Sequence, residues 1–344
     1  MGKIQVGLVF GGKSGEHEVS IRSAASIYRA LDKSKYEVEL LGMDKNGGWH
    51  VVNQKWLPSG TEMKSLPGGG KTLMPQEERW DVVFPIIHGT YGEDGSLQGL
   101  LELMNVAYVG AGVLGSAVGM DKEVQKRLLM QAGIPVAKYQ LLRSPSRSPF
   151  GHLEGGLKYP VFVKPVNMGS SVGVTKVQSD KDIKDAIKKA FQYDTKVIIE
   201  EEVKGREIEV SVLGNNDPVA SVPGEVKTKH EFYDYEAKYV DENGAVLEIP
   251  AKLQRDKVAE VQRLAVKTFK VLECSGMARV DMFLRPNGEL VINEINTLPG
   301  FTSISMYPKL WEASGLPYPE LLDKLVELAV EKKRRKDKLK RSYF

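Results

Sequence analysis

The chain runs on two hydrophobic rhythms that change with position. In the first third, short apolar runs alternate with amphipathic stretches: Val6 to Phe10 reads as a buried strand, Gly11-Gly12 as a turn, Glu18 to Leu31 as a helix and Tyr36 to Gly42 as a further strand. Asp81 to Ile87 and Ala107 to Val109 continue the pattern, which predicts a parallel sheet with covering helices. Residues 53–80, rich in Pro and Gly, read as loop. Asp121 is placed to cap a helix through Val124 and Leu128 that Gly133-Ile134-Pro135 ends. Val161 to Lys164, a glycine-serine turn and Gly173 to Val177 then read as a hairpin, followed by a polar helix over Asp180 to Ala190 and a strand, Val197 to Ile199, running into Glu200-Glu201-Glu202. From Glu207 strands dominate until a helix at Asp256 to Leu272, and the last helix sets Leu321, Leu322, Leu325, Val326, Leu328 and Ala329 on one apolar face.

Near the C-terminus, Met277 to Leu284 reads as one strand and Leu290 to Asn296 as its return, with Asn287-Gly288 as the two central residues of a tight turn. Side chains alternate across a strand, so Arg279, Asp281 and Phe283 share a face, as do Leu290, Ile292, Glu294 and Asn296. That turn places Asp281 opposite Glu294. Carboxylates with Cβ atoms roughly 5 Å apart repel unless one is protonated or a cation lies between them. A magnesium-type ion answers this, with Asn296 as a third oxygen. The alternative is a salt-bridge cluster centred on Arg279.

Composition narrows the classes. At 344 residues the chain suggests roughly two or three domains, and 42% hydrophobic with 27% charged residues is the balance of a soluble globular protein. No apolar run approaches a membrane span and no signal-like segment precedes the first strand, so a cytoplasmic protein is expected. Cys274, the only cysteine, excludes an internal disulfide and a cysteine-based zinc site and is expected to be a small buried hydrophobe. The net charge of +3 hides an asymmetry: residues 331–344 hold eight Lys or Arg against Glu331 and Asp337, a contribution of +6, which leaves 3 − 6 = −3 for the rest. The basic tail reads as a solvated helix end, without a nucleic-acid or membrane partner.

Several familiar patterns fail on context. Gly110-Ala111-Gly112-Val113-Leu114-Gly115 matches the dinucleotide fingerprint, but no second strand with a terminal acid arrives about twenty residues later. Gly70-Lys71-Thr72 has Ser65 where a phosphate loop needs its first Gly and Pro75 where it needs a helix. His17-Glu18 begins a zinc-protease pattern, yet Ile21 stands where its second histidine belongs. Gly169-Ser170-Ser171-Val172-Gly173 matches the hydrolase elbow, but Val174 to Val177 favours a strand over the required helix. Without the elbow, Met168 to Gly173 reads as a mobile phosphate cover: small residues let backbone N–H groups approach anionic oxygens, and Ser170 and Ser171 add hydroxyls. Lys164 on the strand entering it and Lys122 at a helix start are candidate phosphate ligands.

Taken together the residues resemble D-alanine–D-alanine ligases. The resemblance lies in Gly11-Gly12 through Glu16-His17-Glu18-Val19-Ser20, His88-Gly89 with Gly92-Glu93-Asp94-Gly95, Met120-Asp121-Lys122, and Lys164-Pro165 with Gly169 to Gly173. It continues in Phe232 to Tyr239, Arg279-Val280-Asp281, and Asn293-Glu294-Ile295-Asn296-Thr297 with Pro299-Gly300, so it spans nearly the whole chain in order. It implies a Rossmann-like parallel α/β domain over residues 1–118, then an ATP-grasp fold of two α+β lobes over 119–203 and 204–344. It also implies ATP-dependent joining of two D-alanines through a D-alanyl phosphate for peptidoglycan synthesis, and a homodimer.

The same resemblance distributes roles. Two Mg2+ (or Mn2+) ions go to Asp281, Glu294 and Asn296, the inner phosphates to Lys122 and Lys164 with Ser170 and Ser171, and the transferring phosphate to Lys238. Adenine goes to Glu200, Glu201 and Val203, packed by Phe232 and Phe283, the ribose to Glu207, and Asn293 is counted with the ATP site. Glu16 receives the first ammonium with His88 nearby, tied by Ser171 and Tyr239; Arg279 and the Gly300 N–H serve the oxyanion; Ser305 and Met306 take the second carboxylate. Glu236-Ala237-Lys238-Tyr239 resembles the dipeptide-forming type. The competing readings are a D-alanine–D-lactate ligase, an NAD-dependent oxidoreductase resting on Gly110 to Gly115, and a nucleotide-binding module without turnover.

Overall fold

The computed structural model describes residues 2–59, 65–66, 80–143, 153, 155–228, 245–302 and 304–340. The first sheet holds β1 (Ile4–Gly11), β2 (Tyr36–Met43), β3 (Trp49–Val51), β4 (Val82–Pro85) and β5 (Ala107–Tyr108) in the order β3-β2-β1-β4-β5. All neighbours are parallel except β2 and β3. Helices α1 (His17–Ala30) and α2 (Ser96–Leu103) belong to this region, and the continuous apolar run of β1 reflects burial on both faces.

Helices α3 (Val113–Met120) and α4 (Lys122–Gln131) lead into a four-stranded antiparallel sheet of β6 (Tyr139–Leu142), β7 (Val161–Pro165), β8 (Thr175–Val177) and β9 (Val197–Glu201), ordered β6-β9-β7-β8, with α5 (Asp180–Ala190) against it. Asp121 caps α4 as expected, accepting from the Glu123 and Val124 N–H groups. A third, antiparallel sheet follows: β10 (Arg206–Gly214), β11 (Val219–Ala220), β12 (Gly224–Thr228), β13 (Ala245–Glu248), β14 (Gly276–Leu284) and β15 (Leu290–Asn296), in the order β13-β12-β10-β14-β15 with β11 on β10. Helix α6 (Arg255–Val271) packs on it; α7 (Met306–Ala313) and α8 (Tyr318–Asp337) close the chain.

The cores show how the parts join. Val6, Leu8, Phe10, Ile21 and Ile27 share one core with Phe301, Tyr307, Leu321, Leu325 and Val326, so the end of the chain returns to the first sheet. Val118, Leu129 and Ile134 pack with Ile208, Val210, Phe269, Val280, Met282 and Ile292, so α3 and α4 share the core of the third sheet. The second sheet has its own core, around Val161, Val163, Ile183 and Ile187. Cys274 is buried as expected, and burial pushes its thiol up to about 12.

The sequence reading named none of β3, α2, α3, β6 or α7. The fingerprint-like glycines do open a helix, α3, but they serve packing: a Cβ on Gly115 would sit 2.4 Å from the Glu273 carbonyl oxygen, and one on Gly276 3.1 Å from Gly110. Helix α7, unpredicted, starts at Met306, after Ser305, and tolerates Pro308 in its first turn. Among the described residues no helix is long and apolar enough to cross a membrane.

Candidate active site

The β14–β15 hairpin sets Asp281 opposite Glu294, as expected, although by a different route. Arg285 N–H donates to Glu289 O (2.9 Å), Gly288 N–H donates to Arg285 O (2.9 Å), and Gly288 has φ +87°. The turn is therefore Pro286-Asn287 with a left-handed glycine after it, not a two-residue Asn287-Gly288 loop, and Leu284 pairs with Leu290. That register alone would move Glu294 off Asp281. An extra residue, Asn293, between the Met282–Ile292 and Asp281–Glu294 pairs restores the opposition. The bulge also corrects the face assignment: Leu290, Ile292 and Ile295 join the core, while Glu294 and Asn296 lie on the other face.

On that face the Arg279 guanidinium bridges carboxylates. Its Nε and Nη2 donate to Asp281 Oδ1 and Oδ2, both at 2.7 Å, and Nε is 3.0 Å from Glu209 Oε2. Burial works against its charge, but Asp281 and Glu209 outweigh burial and hold the guanidinium above its ordinary value. The Arg279-centred cluster raised as an alternative is thus present, with Asp281 still facing Glu294. The Asn296 Oδ1 accepts from Leu298 N–H at 3.1 Å.

Helix α4 and strand β7 supply the lysines. Lys122 Nζ donates to Met168 O at 2.8 Å and lies 3.5 Å from Glu294 Oε2. Lys164, on β7, pairs with Glu200, which also meets Lys126 at 2.7 Å. Glu200 is buried at 4% exposure. Burial would raise its carboxyl, but the charges of Lys126 and Lys164 hold it down to about 2. Burial in turn lowers the Lys126 ammonium, opposed by Glu200; with one carboxylate between two lysines, the ionised pair is the state the geometry favours.

The turn between β7 and β8 holds Ser170 and Ser171 at φ +50° and +61°, a conformation that non-glycine residues adopt at a cost and that clusters at ligand clamps. Ser170 Oγ donates to Glu16 Oε1 at 2.5 Å, which adds Ser170 to the contacts expected on Glu16.

Glu16 follows β1 and His88 follows β4, at the carboxyl ends of neighbouring strands where the strand order reverses, the place at which open parallel sheets bind ligands. His88 Nε2 contacts Ser23 Oγ (3.1 Å), Nδ1 contacts Leu298 O (3.1 Å), and Glu93 Oε1 is 3.8 Å from Nδ1. Burial would lower the His88 pKa, but Glu93 and the charge on Glu16 raise it. Ser23 Oγ also accepts from Phe301 N–H (3.3 Å), and a Cβ on Gly300 would meet Ser305 Oγ at 2.7 Å, which brings the Gly300 and Ser305 loop to the same end of the sheet. Ser305 Oγ accepts from Thr302 N–H at 3.0 Å, and Met306 is buried at the start of α7.

Of the predicted residues, Lys122, Lys164, Ser170, Ser171, Glu200, Glu201, Val203, Glu207, Asp281, Phe283, Asn293 and Glu294 line one cleft of about 520 Å³ between the second and third sheets. A larger groove of about 730 Å³ runs along β2 and β3 and holds none of them. Phe232, Lys238 and Tyr239 lie outside the described residues, as do Gly70 to Thr72 and Pro75. The sequence reading missed Lys126, Glu209 and Glu93. Lys126 and Glu209 carried a signal, a charged residue one helical turn or two strand positions from a predicted site residue, but their partners are remote in sequence.

Two antiparallel sheets that grip a lysine-lined, acid-edged cleft beside a parallel α/β domain define an ATP-grasp enzyme. Models described as D-ala D-ala ligase N-terminus and D-ala D-ala ligase C-terminus match residues 5–111 and 128–327. The chain is 52% identical to the D-alanine–D-alanine ligase of Oceanobacillus iheyensis, covering 99% of each, and 49% identical to D-alanine–D-alanine ligase A of Escherichia coli K12, covering 96% of this chain and 97% of that one. The D-alanine-D-alanine ligase structure from Coxiella burnetii superposes with a TM-score of 0.82 at 38% identity, covering 98% of this chain and 96% of that one. The VanG D-Ala:D-Ser ligase from Enterococcus faecalis also gives 0.82, at 33% identity over 95% of this chain and 100% of the other. The chain belongs to the D-alanine–D-alanine ligase family.

Proposed function

We propose that the protein joins two D-alanines to D-alanyl-D-alanine at the expense of ATP, through a D-alanyl phosphate, releasing ADP and phosphate and supplying peptidoglycan synthesis. The observation that carries this is the bond from Ser170 of the cover loop to Glu16 at the end of β1, which brings the lysine-lined cleft against a pocket suited to an amino acid. Lys122 and Lys164 donate to the inner phosphates and Glu207 accepts from the ribose hydroxyls. Glu16 receives the ammonium of the first D-alanine, with His88 behind it. Arg279 and the Gly300 N–H stabilise the oxyanion as the second amine attacks, and Ser305 and the Met306 backbone hold the second carboxylate. The cover loop excludes water that would otherwise hydrolyse the acyl phosphate.

The carboxylates of Asp281 and Glu294, opposite one another across β14 and β15, suit a hard divalent cation, with Asn296 as a third donor. Bound there, magnesium or manganese neutralises phosphate charge. On the family resemblance, the same reading makes the enzyme a cytoplasmic homodimer.

Phosphate release from ATP and magnesium, measured side by side with D-alanine, L-alanine, D-serine, D-lactate and no acceptor, tests the reading. D-alanine is expected to give the fastest release and a dipeptide product. Faster turnover with D-lactate at neutral pH would replace the amine nucleophile with a hydroxyl one, and release indifferent to the amino acid would sink the ligase reading.

A further inference from the structure

Three carboxylates stand in one row across adjacent strands: Glu209 on β10 is opposite Asp281 on β14, which is opposite Glu294 on β15. Only the last two form the proposed cation pair. Arg279 answers the first two, through an Nε that lies 2.7 Å from Asp281 Oδ1 and 3.0 Å from Glu209 Oε2. Its Nη2 occupies the other Asp281 oxygen. The side chains of Glu209 and Asp281 are each only 4% exposed, so water screens neither charge and each depends on a nearby cation.

This creates a conflict that Glu209 resolves. A divalent ion drawn to Asp281 and Glu294 competes with the guanidinium for the same oxygens, and like charges in a buried site repel. With no second anion, Arg279 either blocks the ion or is expelled from the site. We propose that Glu209 is a positioning residue for Arg279: it keeps the guanidinium paired beside β14 when Asp281 turns its oxygens to a cation, so that ion and arginine occupy the site together. The inference rests on the cation reading of Asp281 and Glu294 and adds a residue whose role runs through Arg279.

Mn2+ binding to the full-length enzyme with ADP, followed by the spin-resonance signal of free Mn2+, tests it in wild type, Glu209→Gln, Arg279→Gln and the double variant. Glu209→Gln is expected to weaken Mn2+ on the order of tenfold, the equivalent of one pKa unit of charge stabilisation, because Arg279 stays on Asp281. In the Arg279→Gln background the same change should have less than about a twofold effect, since the competitor is gone. Glu209→Asp, which keeps the charge, should recover most of the affinity and serves also if the glutamine variant fails to fold. Unchanged affinity in Glu209→Gln, or an equal loss with and without Arg279, overturns the proposal. A Glu294→Gln enzyme that binds Mn2+ like wild type overturns the cation reading itself, a separate failure visible in its own measurement.

Discussion

Lys126 shows what a single buried residue does for this site. It is 2% exposed, points at Glu200, and has Tyr139 within 5.9 Å of its charge. Breaking a buried ion pair at one end leaves a charge without its partner, but Glu200 keeps Lys164, so Lys126→Met should cost about 3 kcal/mol, the low end for such changes, in urea unfolding. The pH dependence has a definite sign. Glu200 is held down to about 2 from an ordinary 4.5, so its stabilisation is complete above about 4.5 and is lost as pH falls toward about 2. Without Lys126 the carboxyl moves back up, and the acid-unfolding midpoint should shift to higher pH. Identical acid transitions in the two proteins would mean that Lys126 does not hold the Glu200 charge.

At the scale of elements, the bulge on β15 decides which side chains face the cleft. Asn293 is additional to the ladder, and the pairs on either side, Met282–Ile292 and Asp281–Glu294, are those of an uninterrupted strand with that residue removed. Deleting Asn293 should therefore keep the fold, with a melting temperature within roughly 2 °C of wild type, the shift that about 1 kcal/mol produces in a chain of this size. Turnover should fall at least about 100-fold, because bulges re-aim neighbouring side chains and Glu294 must meet its target closely. Near-normal phosphate release from the deletion variant would show that the bulge is incidental. This element also shows where sequence reading stops. The opposition of Asp281 and Glu294 was legible only because a turn assigned one residue off and an unseen bulge cancelled, while alternation put Leu290 and Ile292 on the wrong face; turn and bulge both depend on the partner strand. Helix α3 hid behind Gly110, Gly112 and Gly115, which look like a nucleotide loop until their contacts with Glu273 and Gly276 are known. Glu209 lies two strand positions from the predicted Glu207, but its partner was not legible, because only the β10–β14 pairing brings it to Arg279.

At the scale of the molecule, the chain's return to its first sheet makes the last helix a structural requirement. Leu321, Leu322, Leu325, Val326 and Ala329 are almost fully buried against Val6, Leu8 and their neighbours. At about 2 kcal/mol for each large side chain, removing α8 forfeits roughly 8 kcal/mol, comparable to the entire stability of a typical domain. A chain cut before Tyr318 should be recovered as insoluble protein, whereas a chain ending at Asp337 should melt like wild type; soluble, cooperative unfolding of the shorter form would contradict the shared core. The same architecture sets up the closure of the site, because the cover loop sits on the second sheet and Glu16 on the first. The Ser170–Glu16 bond is a latch between bodies that otherwise have separate cores. Ser170→Ala removes the latch and leaves the loop backbone, with its donors for phosphate, in place. The expected result is a kcat lowered by about 10-fold or more, with phosphate released in excess of dipeptide as water reaches the acyl phosphate. Coupled phosphate and dipeptide assays on one sample measure that ratio directly. A variant that stays fully coupled while slowing would place Ser170 in orienting Glu16 alone, and the exclusion of water would then fall to other parts of the loop.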